Sequence, residues 1–140
     1  MRKTIRKLEK KLIKYRVLIY ISLSFGLGIL FGTFYTSTMW IGQSVKDQCL
    51  EAQTLYQKDC VQSLIGYTQN SGIRPEKHSR AVWALGQLGD KRALPTLEKL
   101  YDGSECDHEN KLCQYELKKA IKLIKSGINI TAPFWRYRIK

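Results

Sequence analysis

The chain has 140 residues, and its 24 Lys and Arg against 12 Asp and Glu give a formal net charge of +12. Eight of the basic residues and one acid, Glu9, lie within residues 1–16, so more than half of the excess charge sits at one end. This asymmetry argues against a nucleic-acid-binding protein, whose basic residues would be spread over the folded domain. If one segment spans a membrane, about a hundred residues remain for one small domain. A domain of that size has little room for a deep active site.

An uncharged stretch covers residues 17–45, and its strongly apolar part ends at Tyr35. A helix rises 1.5 Å per residue, so the twenty steps from Tyr15 to Tyr35 cover about 30 Å, the thickness of a hydrocarbon core. The aromatic rings of Tyr15, Tyr35 and Trp40 are of the kind that settle at membrane interfaces. We therefore predict a transmembrane helix over residues 17–42, with a buried helix of a soluble protein as the alternative.

The basic residues before this helix predict its orientation, because Lys and Arg are retained on the cytoplasmic side. Residues 1–16 are then a cytoplasmic segment, and residues 43–127 form a periplasmic or extracellular domain. A cleaved signal peptide would need small residues after the apolar stretch, but the first alanine is Ala52. We expect an uncleaved signal anchor that crosses the inner (plasma) membrane once.

A stripe of small residues, Ser24, Gly28 and Gly32, recurs every four positions within the predicted span. Such a stripe lets a second helix approach closely, which favours a homodimer or a partner helix in the membrane. The alternative is that glycine is simply common in membrane helices.

The remainder of the chain has helical periodicity without a strand-like alternation of useful length. Apolar residues at intervals of three and four predict one continuous helix over 45–67. Further helices are predicted over 75–88, 91–101 and about 109–125, each followed by a turn signal that contains glycine. The predicted fold class is all-α, with an N-terminal transmembrane helix followed by a short helical stack.

Apolar positions in one part of the chain correspond to apolar positions further along it, at two similar sequence separations. This correspondence indicates an internal repeat of helix pairs. Each pair has an apolar face that it cannot bury alone, so neighbouring pairs are expected to stack. The matched positions are Val61, Leu64 and Tyr67 with Leu94, Leu97 and Leu100, and Ala81, Ala84, Leu85 and Leu88 with Leu117, Ala120, Ile121 and Ile124.

Residues 80–100 read RAVWALGQLGDKRALPTLEKL, which contains Ala-Leu-Gly-x-Leu-Gly-Asp followed by x-x-Ala-Leu-Pro-x-Leu. This segment resembles a HEAT-like repeat of the phycobilisome-lyase type. In that repeat the two glycines let the helices turn tightly, and the proline lies near the start of the second helix. The resemblance implies a short HEAT-like helical domain over residues 43–127 and protein binding as its default role, not lyase chemistry.

Four cysteines, Cys49, Cys60, Cys106 and Cys113, all lie beyond the predicted span. An even number in an oxidising compartment indicates disulfides. If Cys106 and Cys113 close a small loop, Cys49 and Cys60 remain, and on one straight helix they would be about 16 Å apart, beyond disulfide reach. Three explanations stay open: the helix breaks, the pairs cross between elements, or a cysteine pairs with another chain.

The sequence carries few residue patterns that indicate catalytic chemistry. The spacing of Cys106, His108 and Cys113 matches no common zinc pattern, so we expect no metal site and no cofactor. The sequence has no nucleophile motif, phosphate-binding loop or paired-carboxylate pattern. We expect a protein without enzymatic activity. A redox-active cysteine protein is an alternative, although it would lack the Cys-x-x-Cys motif.

Residues 128–140 form a tail in which aromatic side chains alternate with cations. These residue types often dominate interfaces, and they suit a protein groove, lipid headgroups or an acidic polymer. The alternative is a tail that packs back on the helical stack. The residues expected to contact a partner or surface are Phe134, Trp135, Arg136, Tyr137 and Arg138.

These features predict a membrane-anchored, non-catalytic adaptor or accessory subunit. It would present a helical-repeat domain to a protein partner, itself membrane-associated, outside the cytoplasm. The alternatives are a module that binds lipid or cell-wall polymer, and the redox-active cysteine protein.

Overall fold

The computed structural model describes residues 2–106 and 112–139, with side chains from Ile13 onward. The fold is all-α as predicted, and the described residues contain no strand. Residues 2–106 and 112–139 contain six α-helices and two short 3₁₀ turns, at Lys91–Ala93 and Arg136–Arg138. The α-helices are α1 (Arg2–Tyr56), α2 (Cys60–Gln69), α3 (Pro75–Leu88), α4 (Leu94–Leu100), α5 (Gln114–Ser126) and α6 (Ala132–Trp135).

The chain divides into two compact units between Ser37 and Thr38. The described part of the first unit is the N-terminal part of α1. Its large apolar side chains are exposed, and Phe31 for example is 72% exposed. By length and composition, α1 holds a segment able to cross a membrane, starting at Ile13, and it is the one such helix among the described residues.

The second unit begins within the predicted span. Thr38 and Gly42, which lie inside the predicted range 17–42, are buried in this unit. Val45, Cys49 and Ala52 on the following turns of α1 are buried in the same core. The C-terminal part of α1 is therefore a packed element of the helical domain. The membrane boundary itself stays a prediction.

The predicted continuous helix over 45–67 is wrong, because α1 ends at Tyr56 and α2 begins at Cys60. Gln57 adopts φ +50°, in the left-handed region that ends helices. The Asp59 carboxylate then caps α2 by accepting from the backbone N–H groups of Val61 (3.1 Å) and Gln62 (3.3 Å). The apolar periodicity continues across the break because both helices face one core.

The other helix boundaries lie near their predicted positions. Pro75 is the first residue of α3, and Gly89 ends that helix at φ +66°. The predicted helix 91–101 starts as a 3₁₀ turn before α4. Within the described residues, the last predicted helix starts at Gln114, later than expected, and residues 107–111 are outside the described part.

α3 packs against both α2 and α5, and α5 also packs against α4. The apolar positions of the internal repeat form most of this core. Leu94, Leu100 and Ile121 are half-buried, and the remaining repeat positions are buried: Val61, Leu64, Tyr67, Ala81, Ala84, Leu85, Leu88, Leu97, Leu117, Ala120 and Ile124.

Candidate functional site: a cationic groove and the packed tail

The four cysteines form two pairs at disulfide distance. Cys49 pairs with Cys60, with their Cα atoms 4.9 Å apart, and Cys106 pairs with Cys113 at 4.6 Å. Both separations lie within the range of a disulfide. The break between α1 and α2 brings Cys60 back towards Cys49. Of the three explanations for this pair, a break in the helix is therefore the one that the structure shows. His108, a candidate metal ligand together with Cys106 and Cys113, lies outside the described residues.

The tail packs on the helical domain. Trp135 is 2% exposed and belongs to the main core, where it lies against Gly42 of α1. The prediction of a partner contact therefore needs correction at Trp135, since the core already covers its ring. The reason is non-local: Gly42 has no side chain, so a tryptophan that is distant in sequence can approach the backbone of α1 there.

Asn129 holds the start of the tail in place. Its side-chain Nδ2 donates to Gln87 Oε1 on α3 at 2.9 Å. Its Oδ1 accepts from the backbone N–H of Thr131 at 3.1 Å and of Ala132 at 3.3 Å. The amide thus joins α3 to the first turn of α6, which orients the residues that follow.

Arg136 covers the end of α3. Its Nη2 donates to the backbone carbonyl of Gln87 at 2.7 Å, and its guanidinium lies over Gly89, where a Cβ would be 2.7 Å from Nη2. Its Nε is buried and donates to no acceptor in the described part of the chain. Burial lowers the pKa of Arg136, because desolvation disfavours its charged form.

Three other tail residues remain accessible. Phe134 is 49% exposed, Tyr137 is 61% exposed, and Arg138 is exposed with its Nε donating to Tyr137 Oη at 3.0 Å. For these residues and for Arg136, contact with a partner stays a prediction.

A groove of about 660 Å³ opens where the tail meets α1, α2 and α3. Its apolar part includes the Cys49–Cys60 pair and Leu88, and its rim carries cations. Sequence reasoning did not identify this groove, because its residues come from four separate segments. We call it the cationic groove and define it by Lys46, Cys49, Cys60, Leu88, Arg136 and Arg138.

Arg92 forms ion pairs with both of the acids that also line the groove. Its guanidinium pairs with Asp59 at 3.2 Å and with Asp90 at 2.9 Å. Hydrogen bonds from Arg92 lower the pKa of Asp90. Among the described residues, no carboxylate lies within ion-pair distance of Lys46, Arg136 or Arg138. Four cations and two carboxylates line the groove, so it has an excess of positive charge.

A polar network lies elsewhere on the domain, at Glu51 of α1. Its Oε1 accepts from Lys77 Nζ at 2.5 Å and from Tyr67 Oη at 2.8 Å. The hydrogen bond from Lys77, followed by that from Tyr67, lowers the pKa of Glu51. Burial, and then the hydrogen bond to Glu51, raises the pKa of Tyr67 to about 12. The sequence does not predict this network, because its three residues lie on three different helices.

The two motif glycines of α3 have different roles. Gly89 ends the helix in the left-handed conformation, as a turn residue should. Gly86 instead lies in the middle of a helix crossing, where an added Cβ would be 2.9 Å from the Cα of Ala120 on α5. The expectation that both glycines permit a tight turn is therefore wrong for Gly86, which permits the close packing of α3 on α5.

The stripe of small residues lies in the first unit. A Cβ added at Gly28 or Gly32 would meet no heavy atom within 4 Å in the described chain. Ser24, Gly28 and Gly32 therefore leave room for a second helix, and a helix contact there stays a prediction.

Comparison with known proteins agrees with the motif on α3 and α4. Residues 79–103 match the family model of the PBS lyase HEAT-like repeat. Searches of curated proteins and of solved structures find no match to the chain. The matched residues cover most of α3, the 3₁₀ turn and all of α4, which together form one helix pair. The chain thus contains a PBS lyase HEAT-like repeat, preceded by a long apolar N-terminal helix.

Proposed function

We propose that this protein is a membrane-anchored, non-catalytic adaptor or accessory subunit whose helical domain binds a protein partner outside the cytoplasm. The observation that carries the proposal is the HEAT-like repeat at residues 79–103. HEAT-like repeats generally mediate protein binding, because stacked helix pairs present an extended surface. The partner is expected to be membrane-associated, since an anchored domain remains close to the bilayer.

The apolar helix supports the anchoring part of the proposal. Large apolar side chains in its first part, including Phe25, Leu30 and Phe31, are exposed to solvent. Burial in lipid would remove this unfavourable exposure. The basic residues before Val17 favour a cytoplasmic N-terminus. The helical domain would then lie in the periplasm or outside the cell.

The cysteine pairs support the proposed compartment. Disulfides persist in oxidising spaces and are rare in the cytosol. Cys49 and Cys113 are both buried, and no cysteine in the described chain is free. Buried, paired cysteines favour a structural role over a redox-active one.

The charges of the cationic groove support a binding role more than a catalytic one. The two carboxylates that line it, Asp59 and Asp90, are both held by Arg92. Asp59 also caps α2 and Asp90 accepts from the backbone N–H of Arg92, so both have structural partners. We therefore include the absence of catalysis in the proposal.

The proposal is tested by crosslinking and affinity purification from native membranes. The bait is the full chain, and its control is residues 1–42 fused to an unrelated soluble domain. We expect at least one protein to be crosslinked to the full chain and not to the control, as identified by mass spectrometry. If every captured protein is equally abundant with the control, the helical domain does not act as an adaptor.

Exposed aromatic residues favour a second candidate function, binding of a lipid surface or cell-wall polymer. Trp40, Phe134 and Tyr137 are all exposed, and Arg138 lies beside Tyr137. Aromatic rings next to cations suit a headgroup layer or an anionic polymer. Sedimentation with anionic vesicles or purified cell wall at two salt concentrations would test this candidate, since mainly electrostatic binding weakens with salt.

A further inference from the structure

We propose that the cationic groove binds an extended peptide segment of the partner that carries a carboxylate next to an apolar side chain. This inference rests on the proposed function and specifies the chemistry of the partner. It depends on the juxtaposition of three cations with an apolar recess.

The charge of the groove selects an acidic ligand. Lys46 comes from α1, and Arg136 and Arg138 come from the tail, so cations line more than one side of the recess. The groove's own acids, Asp59 and Asp90, are already paired with Arg92. A carboxylate that enters the groove would therefore find guanidinium and ammonium donors whose charges have no carboxylate partner in the described chain. Such charge-assisted hydrogen bonds are stronger than neutral ones.

The donors of Arg136 are only partly used within the protein. Nη2 donates one N–H to the carbonyl of Gln87, and no carboxylate of the described chain pairs with the guanidinium. Nε is buried, so an incoming carboxylate would bind the terminal nitrogens. Because Gln87 and Gly89 hold the guanidinium in one place, an incoming carboxylate would meet a pre-oriented group.

The shape of the groove favours a peptide over a membrane. A volume of about 660 Å³ accommodates a few side chains, within the range of about 300–1,000 Å³ for ligand pockets. Leu88 and the Cys49–Cys60 pair lie inside the recess and would contact an apolar side chain. The planar surface of a bilayer would meet the rim of the groove but not its floor. The Cys49–Cys60 pair joins two walls, so the recess exists before the ligand binds.

The test uses the full chain in phosphatidylcholine nanodiscs and a phage library of random heptapeptides as the probe. The test variant is Lys46→Gln/Arg138→Gln, in which both replaced side chains are exposed, so that folding is preserved. The matched control is Lys118→Gln/Lys122→Gln, which removes the same charge from exposed positions on α5. Circular dichroism confirms that each variant is folded.

We expect the library to become enriched in peptides with Asp or Glu beside an apolar residue on the wild type and on the control. In fluorescence anisotropy, the test variant should bind an enriched peptide about tenfold more weakly, as the loss of two exposed charge contacts implies. The α5 control should differ from the wild type by less than about twofold, because its lysines lie outside the groove. Replacing the peptide's Asp or Glu by the amide should weaken binding to the wild type.

Three results would overturn the inference: no acidic preference, equal losses in the two variants, or no loss in the Lys46→Gln/Arg138→Gln variant. Vesicles with phosphatidylglycerol form a separate arm. If they bind through Lys46 and Arg138 while the library shows no acidic preference, the cations serve the membrane instead. The adaptor proposal is tested independently: if crosslinking captures a partner but the peptides show no acidic preference, only the groove inference fails.

Discussion

Trp135 lies so close to Gly42 that a Cβ at position 42 would be 2.6 Å from the Cβ of Trp135. This contact joins α6, the last α-helix of the described chain, to α1 at the C-terminal end of the predicted membrane span. It makes Trp135 part of the core and leaves Tyr137 and Arg138 at the surface, where Arg138 lines the cationic groove.

Gly42→Ala should destabilise the domain by roughly 1–3 kcal/mol, because the added methyl group overpacks the contact with Trp135. Thermal unfolding followed by circular dichroism would measure the effect. Gln43→Ala is the matched control, since Gln43 is exposed on the same helix, and its effect should stay within about 0.5 kcal/mol. Equal melting temperatures for the Gly42→Ala variant and the wild type would contradict the close approach.

Trp135→Ala should cost about 3–5 kcal/mol, because it removes a large, fully buried side chain. Deletion of residues 133–140 should destabilise the domain at least as strongly. Tyr137→Ala serves as the control, since its exposed ring contributes little to the core. If the truncated domain has the same melting temperature as the wild type, the tail does not stabilise the core. A tail that only binds a partner is then the better interpretation.

Removing the Cys49–Cys60 pair by Cys49→Ser/Cys60→Ser should lower stability by roughly 2–3 kcal/mol, since the bridge restricts the unfolded chain. Reductant should lower the melting temperature of the wild type. Thiol labelling of protein extracted without reductant should find few free cysteines. Four readily labelled thiols, or zinc bound to the purified protein, would refute the assignment of two disulfides.

The Glu51 network predicts a specific acid sensitivity. The folded-state pKa of Glu51 lies below its ordinary value of 4.5, so its contribution to stability is present above that pH and is lost as the pH falls through the folded-state pKa. The side chain is 37% exposed, so the contribution should remain below about 1 kcal/mol. The Glu51→Gln variant should therefore lose less stability than the wild type between neutral pH and pH values below 4.5. Parallel pH profiles of unfolding for the two proteins would contradict this role.

Topology is testable with reporters that are active only outside the cytoplasm. A fusion after Lys140 should be active and a fusion after Lys14 should be inactive, because the basic leader is expected to stay inside. Immunoblots of both fusions control for expression. The reverse pattern would refute the signal-anchor prediction.

Local features of the sequence were sufficient to predict the all-α fold and most helix ends. Pro75 and Gly89 act through their own backbone preferences, so their effects are visible without knowledge of the fold. The motif over residues 80–100 predicts the HEAT-like repeat for the same reason, since its helix pair is contiguous in the chain. The long apolar helix is equally evident from composition alone.

Contacts between distant segments decided the remainder. The sequence did not predict the break at Gln57, because apolar residues continue at helical spacing on both sides of it. Only the structure shows that Asp59 caps a new helix. The pairing of Cys49 with Cys60 depends on that break. The place of Trp135 depends on a glycine more than ninety positions earlier, and the cationic groove forms only where α1, α2, α3 and the tail meet. No local pattern encodes such juxtapositions, because they arise from packing of the whole domain.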